Sequence, residues 1–195
     1  MFGNILNNSQ IISLVKDKKI TIYPFNESKL KLSHYPLTPG GVLTPGKKNA
    51  AGKWQHSPKH DFAHTGKSEC VFKPNEYAII EVEEDIHLPE GIVGNFVPSS
   101  NLIEQGFGLT AGKIDPLYGN IGGKRQKILF GLKNLREEEN ALTEGQHIAH
   151  IYFVDLRGLN NAPQVLTDYE VHRFMERFSR FKKADDDGPD YGSGA

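Results

Sequence analysis

Short runs of alternating apolar and polar residues, broken every few positions by proline, glycine or asparagine, fill the middle of this chain. From Cys70, the segment VFKPNEYAIIEVEEDIHLPEGIVGNFVPSS reads as strands punctuated by Pro-Asn, Leu-Pro-Glu-Gly and Val-Pro. Further apolar runs follow at KILFGLKN and HIAHIYFVDL, separated by the polar turn region EEENALTEGQ. Several strands at this spacing, with no long helical pattern between them, predict an all-β barrel or sandwich. Helical spacing marks the two ends. In ILNNSQIISLVK (5–16), Ile5, Ile11, Ile12 and Val15 predict a short helix with Ser9 as its cap. In TDYEVHRFMERFSRFKK (167–183), Val171, Phe174, Phe178 and Phe181 predict a second. KITIYPF reads as a strand that stops at Pro24, and the Pro- and Gly-rich stretch 36–67 as loops and short strands.

Composition narrows the function classes. The 195 residues fit one domain, taken as 1–183, followed by a flexible acidic tail, 184–195. Lys plus Arg number 23 against 24 for Asp plus Glu, a net charge of -1 that gives no footprint for a polynucleotide or an anionic membrane. The single cysteine, Cys70, suits a reducing compartment and reads as a structural thiol. No apolar run approaches the roughly 20 residues that span a bilayer, and the N-terminus has no basic-then-apolar leader. A soluble cytoplasmic protein is expected.

Candidate chemistry comes next. His56, His60 and His64 recur every four residues, a spacing that would suit a metal on a helix, but Pro58 interrupts it. A solvated loop is the expectation there, and no metal ligands are assigned. EVEED (81–85) reads as the solvent face of a strand. Gly122, Gly123, Lys124, Arg125 and Lys127 form either a basic hairpin tip or a phosphate cradle. GLTAGKIDPLYGN (108–120) is a turn by its Asp-Pro and Tyr-Gly-Asn, yet Asp115 beside Ile114 can also serve as a general base orienting a water. Tyr118 can pack on a flat sugar or base, and Ser99 and Ser100 can donate to phosphate oxygens.

Taken in order, ILNNSQIISLVKDKKITIYPF, KLSHYPL, FKPNEYAIIEVEEDIHLPEGIVGNFVPSSNLIEQGFGLTAGKIDPLYGN, ILFGLKN and EGQHIAHIYF resemble the dCTP deaminase and dUTPase superfamily over most of the chain. That resemblance implies homotrimers of a distorted β-barrel (a dUTPase-like β-clip) with active sites at subunit interfaces. It implies binding of a deoxynucleoside triphosphate with Mg²⁺ carried on the phosphates. Asp115 matches the acid that activates the attacking water in dUTP-hydrolysing members. Tyr118 matches the aromatic against deoxyribose, Ala111, Gly112 and Ile114 the nucleoside pocket, and Ser99 and Ser100 the phosphate contacts. DYGSGA resembles a Gly-rich closing arm, with Tyr191 as its aromatic.

The chain departs from that pattern at four places. Pro98 stands where the family has Arg before the serines, and Ile103 and Glu104 stand near a second Arg. Gly131 stands where deaminases carry the proton-shuttling Glu of Ile-x-Leu-Glu-x-x-Asn, and His150 replaces the Gln of Gly-x-x-Ile-Ala-Gln. About six residues inserted around GGKRQK could bring Lys124 or Arg125 to replace the missing phosphate cations. The resemblance therefore implies a dUTPase-like hydrolase first. A catalytically degenerate nucleotide-binding or regulatory trimer, and a deaminase whose shuttle has moved to Glu104 or a histidine, are the alternatives.

Overall fold

The computed structural model describes residues 4–157 apart from 51, 53, 65, 67, 117, 119, 122 and 123. The expected C-terminal helix, the acidic tail and Tyr191 lie outside the described residues. The N-terminal part runs β1 (Asn4–Ile5), α1 (Asn8–Lys16), β2 (Thr21–Tyr23), a 3-10 turn (Glu27–Lys29), β3 (His34–Leu37) and β4 (Pro39–Leu43). Next come β5 (Lys47–Lys48), β6 (Trp54–Gln55), β7 (Pro58–Asp61), β8 (Glu69–Phe72), β9 (Tyr77–Val82), β10 (Asp85–His87) and β11 (Ile92–Pro98). The last part comprises α2 (Ser100–Glu104), β12 (Phe107–Thr110), β13 (Lys113–Ile114), β14 (Asn120–Ile121), β15 (Lys124–Arg125), β16 (Leu129–Asn134), β17 (Asn140–Thr143) and β18 (Ala149–Asp155).

The protein is mainly β with two short helices, as the alternation predicts, but the described strands do not close into a barrel. They form two open five-stranded antiparallel sheets and four two-stranded ribbons. In the first sheet β18 is the hub, pairing with β1, β3 and β11, and β11 pairs in turn with β13. The second has the order β12-β16-β9-β4-β7. Residues 46–56 belong to a separate compact unit whose described part is the β5–β6 hairpin, where Lys48 lies 5.4 Å from the Trp54 ring centre. No helix among the described residues is long and apolar enough to cross a membrane.

Period-2 alternation sorts the side chains. Ala78, Ile80 and Val82 of β9 and Ala149, Ile151 and Phe153 of β18 point inward, each at most 1% exposed. Edge-to-face contacts join the elements: Phe96 of β11 on Phe130 of β16 at 4.9 Å, and Phe72 of β8 on Phe107 of β12 at 5.3 Å. The buried rings Phe72, Phe107 and Phe130 each contribute about 1.5–3 kcal/mol through burial. Gly94 is where strands come closest. A Cβ there would lie 2.8 Å from Ile151 Cδ1 and 2.9 Å from Ile114 Cγ1, so only glycine lets both isoleucines meet over β11.

The N-terminal helix starts later than expected. Ile5 belongs to β1, opposite Val154, and the cap is Asn7, which exchanges hydrogen bonds with Gln10 in a capping box; Ser9 is already helical. The histidine stretch also differs from the solvated loop expected. His60 lies on β7, is buried, and meets Phe62 edge-on, while His64 pairs with Asp61 at 2.9 Å.

Two polar groups are buried with purpose. Asn134 is fully buried; its amide donates to the carbonyls of Phe72, Lys73 and Glu138, and its Oδ1 accepts from Arg136 N–H. Glu84 corrects the solvent-facing expectation for EVEED. It is 2% exposed and accepts from both the N–H and the hydroxyl of Thr38, at 2.9 Å each. The same hydroxyl lies 2.7 Å from Glu83 Oε2, so one hydroxyl proton faces two carboxyl groups.

Burial pushes the Glu84 carboxyl above its ordinary value of 4.5. A raised carboxyl contributes stability that is complete below the unfolded pKa and is lost as pH rises through the folded one. Glu84→Gln offers a neutral donor and acceptor of the same shape. Its unfolding free energy in urea should gain on the parent's as pH rises from about 5 to about 8, whereas Glu84→Ala, leaving the buried Thr38 N–H unpaired, should cost about 1–3 kcal/mol.

Candidate active site

The candidate phosphate end begins where β11 stops. Pro98 is the last residue of the ladder with β18, and the Ser99 N–H extends that ladder by donating to Ile148 O at 3.1 Å. Ser99 then caps α2: its hydroxyl accepts from Leu102 N–H at 3.2 Å and donates to His147 O at 2.5 Å. At 3% exposure its hydroxyl is engaged inside the fold, and Ser100, the first helical residue, is the exposed hydroxyl of the pair. Ile103 and Glu104 lie exposed on the same short helix.

The candidate nucleoside end is the segment after β12. Gly112 faces open space, and Ala111 is half-buried. Ile114 pairs opposite Gly94 and is 2% exposed, so its side chain belongs to the core and only its backbone is available to a ligand. The chain then turns, with Tyr118 N–H donating to Asp115 O at 2.9 Å. This leaves Asp115 half-buried, with Lys113 Nζ 2.8 Å from its Oδ1. Tyr118 packs half-buried against the core.

A basic cluster that the sequence only hinted at lies beside Ser99. His150, matched to the family glutamine, meets His34 of β3 at a tilt of 41°, with ring centres 4.4 Å apart. Burial, and then His34, His147 and Lys31, hold the His150 imidazole below the usual histidine value; burial, Lys29 and Lys31 do the same for His147. Because Ser99 donates to the His147 carbonyl, the cluster is tied to the start of α2. His147 is close to His150 in sequence, but Lys29, Lys31 and His34 belong to a segment that only the β3–β18 pairing brings alongside.

The remaining cations divide. Lys124 and Arg125 form β15, opposite Ile121 and Asn120 of β14, so the hairpin expected there is present. Lys127 is held by Asp85 at 2.9 Å and by Glu83 O at 2.8 Å. Among the described residues no three His, Cys, Asp or Glu side chains converge to hold a metal. Cys70 is buried on β8, and burial raises its thiol pKa.

Gly131 is the last feature of the site. It sits on β16 between Thr110 of β12 and Ile79 of β9. A Cβ at this position would run into the Tyr77 phenol, its hydroxyl first and its Cζ and Cε2 at 2.9 Å. The ring of Tyr77 thus covers the spot from which a carboxylate at 131 would project.

Residues 5–156 match the family described as dCTP deaminase-like. The chain belongs to that family. It is 29% identical to a dCTP deaminase of Pyrococcus furiosus over 142 residues, 72% of this chain and 79% of the relative. In three dimensions it is similar to the 2'-deoxycytidine 5'-triphosphate deaminase of Agrobacterium tumefaciens, with a TM-score of 0.55 and 14% identity. That match covers 91% of this chain but only about half, 54%, of the other. A dUTPase from Streptococcus mutans is also similar, at a TM-score of 0.47 and 15% identity over 76% of this chain and 98% of that one.

The two serines of this deaminase-like chain should separate cleanly in denaturant. Ser99→Ala removes a helix cap and is expected to lower stability by about 0.5–2 kcal/mol. Ser100→Ala, at an exposed position, should change it by no more than about 0.5 kcal/mol.

Proposed function

We propose that this dCTP deaminase-like protein binds a deoxynucleoside triphosphate and hydrolyses it, dUTP before the others, to the monophosphate and pyrophosphate. The observation that carries the proposal is a contrast between the turn after β13 in the first sheet and a glycine on β16 in the second. The Asp115 turn is intact, with Lys113 on one carboxylate oxygen and Tyr118 closing it, while Gly131 lies beneath Tyr77 where the deaminase pattern calls for a carboxylate.

In this proposal the second carboxylate oxygen of Asp115 takes a proton from water, whose oxygen attacks the phosphate chain as the bond to pyrophosphate breaks. Tyr118 packs on the deoxyribose, and the backbone of Ala111, Gly112 and Ile114 lines the nucleoside. Ser100, the backbone at Ser99, His150 and the hairpin residues Lys124 and Arg125 meet the phosphates, whose Mg²⁺ offsets their charge. The working unit is a cytoplasmic homotrimer of the 1–183 domain with interfacial sites. Deamination of dCTP is the second reading, favoured by the name of the Pyrococcus furiosus relative. A non-catalytic nucleotide-binding trimer is the third, favoured by Pro98 and Ile103 at the arginine positions.

One assay separates the three: each dNTP with Mg²⁺, following pyrophosphate release and cytosine-to-uracil conversion in parallel. Pyrophosphate release that falls by about 10²–10⁴-fold in Asp115→Asn supports hydrolysis. Cytosine conversion would replace it with the second reading, and binding without turnover with the third. A pH series adds an independent check. Because His147 and His150 are held below their ordinary value, they are largely neutral at pH 7, and an arriving triphosphate favours their protonated forms. Affinity should therefore tighten as pH falls from about 8 to about 6, by at most about tenfold per unit for each proton taken up, and His150→Gln should flatten the slope.

A further inference from the structure

At several places on the described surface a positive side chain is matched by a carboxylate: Lys16 by Glu27, Lys59 by Glu76, Lys127 by Asp85 and Arg157 by Asp155. Beside the start of α2 that matching stops. Among the described residues Lys29, Lys31, His34, His147 and His150 form no ion pair with a carboxylate. The charges that weigh on His147 are Lys29 and Lys31, and those that weigh on His150 are His34, His147 and Lys31, all of one sign.

Two parts of the fold hold these groups together. Alternation along β3 and β18 sends Tyr35 and Ile151 inward and leaves His34 and His150 on the outer face, with their rings 4.4 Å apart. The segment leading into β3 is anchored on both sides of Lys31. Leu30 packs against the core, Lys31 N–H donates to His34 O at 3.0 Å, and Asn8 N–H donates to Leu32 O at 2.8 Å. The Ser99 hydroxyl on the His147 carbonyl then ties the group to α2, whose first residue is the exposed Ser100. Cations gathered without counter-charge repel one another in the free protein, and a multiply charged anion relieves that repulsion when it binds.

We propose that Lys31, His34, His147 and His150, with Lys29 beside them, form a polyphosphate-binding patch that takes the triphosphate tail of a nucleotide without reading its base. The inference rests on the reading of this end of the site as the phosphate end, and adds the 29–34 segment and His147 to it. Ammonium and imidazole groups meet phosphate oxygens as point charges and single donors, not as planar forks. Affinity for such a patch rises with the number of phosphates, even where no nucleoside is attached.

The test measures equilibrium binding of inorganic phosphate, pyrophosphate, tripolyphosphate and dUTP to the full chain at neutral pH without Mg²⁺, with thermal unfolding recorded alongside. Tripolyphosphate should bind more tightly than pyrophosphate, and pyrophosphate more tightly than phosphate. Lys31→Ala and His34→Ala should each weaken tripolyphosphate and dUTP by about 3–10-fold. The melting temperature of free Lys31→Ala should be unchanged or raised, because a repulsion has been removed. Lys19→Ala takes the same charge from an exposed lysine paired with Asp17 and should leave tripolyphosphate binding as it was. Equal losses in Lys19→Ala and Lys31→Ala would reduce the effect to net charge and overturn the patch. Tripolyphosphate binding indifferent to Lys31 and His34, or none by the parent chain, would overturn it as well. Should His34→Ala fold poorly, Lys31→Glu decides: it must weaken tripolyphosphate more than Lys31→Ala does, or the patch is overturned. The hydrolase reading fails separately. Tripolyphosphate held through Lys31 with no dNTP hydrolysed would leave the patch and remove hydrolysis, whereas hydrolysis lost in Asp115→Asn without any tripolyphosphate site would do the reverse.

Discussion

The candidate site depends on one ladder, the antiparallel pairing of β11 with β18 from Ile92 opposite Asp155 to Pro98 opposite Ala149. Side chains alternate along a strand, so a slip of one residue would turn Ile151 and Phe153 out of the core and His150 into it. The apolar set of β18 therefore fixes the register, and the register fixes everything at its end. Ser99 reaches Ile148 O only because Pro98 sits opposite Ala149. His150 meets His34 only because β3 takes the other edge of the same strand. Burial on one face and candidate chemistry on the other are consequences of a single alignment.

Much of this was legible before any coordinates. The alternation at 77–82 and 149–155 announced strands, and the order of VPSSNLI, TAGKIDPLYGN and EGQHIAHIYF announced the family. What was not legible shares a cause: partners distant in sequence. EVEED looks solvated because its charges are dense, yet Thr38 supplies the hydrogen bonds that let Glu84 enter the core. Ser99 looks like a free hydroxyl because nothing nearby shows that the His147 carbonyl will receive it. The missing carboxylate at Gly131 was visible, but not that Tyr77 would lie across the gap. Asn7, not Ser9, is the cap because the capping box pairs it with Gln10 three residues on. Closure of the expected barrel depends on strand edges, which alternation does not encode.

Charge around the candidate site is distributed unusually for a site that would hold a triphosphate. The chain lacks the expected arginines, whose planar fork grips phosphate at two points. In their place it gathers imidazoles and lysines beside α2, groups that act as point charges or as hydrogen-bonding rings rather than clamps. Such an arrangement trades fixed orientation for adjustable charge.

Gly94 gives the architecture a mechanical aspect. Among the described residues β13 pairs with β11 alone, and it does so directly over this glycine. The two-residue strand behaves as a short lever resting on a bare fulcrum, with the Ile114 side chain as its pin and the Asp115 turn at its free end. A single methyl group added to the fulcrum would tilt that lever, and the carboxylate would move although no residue near it had changed.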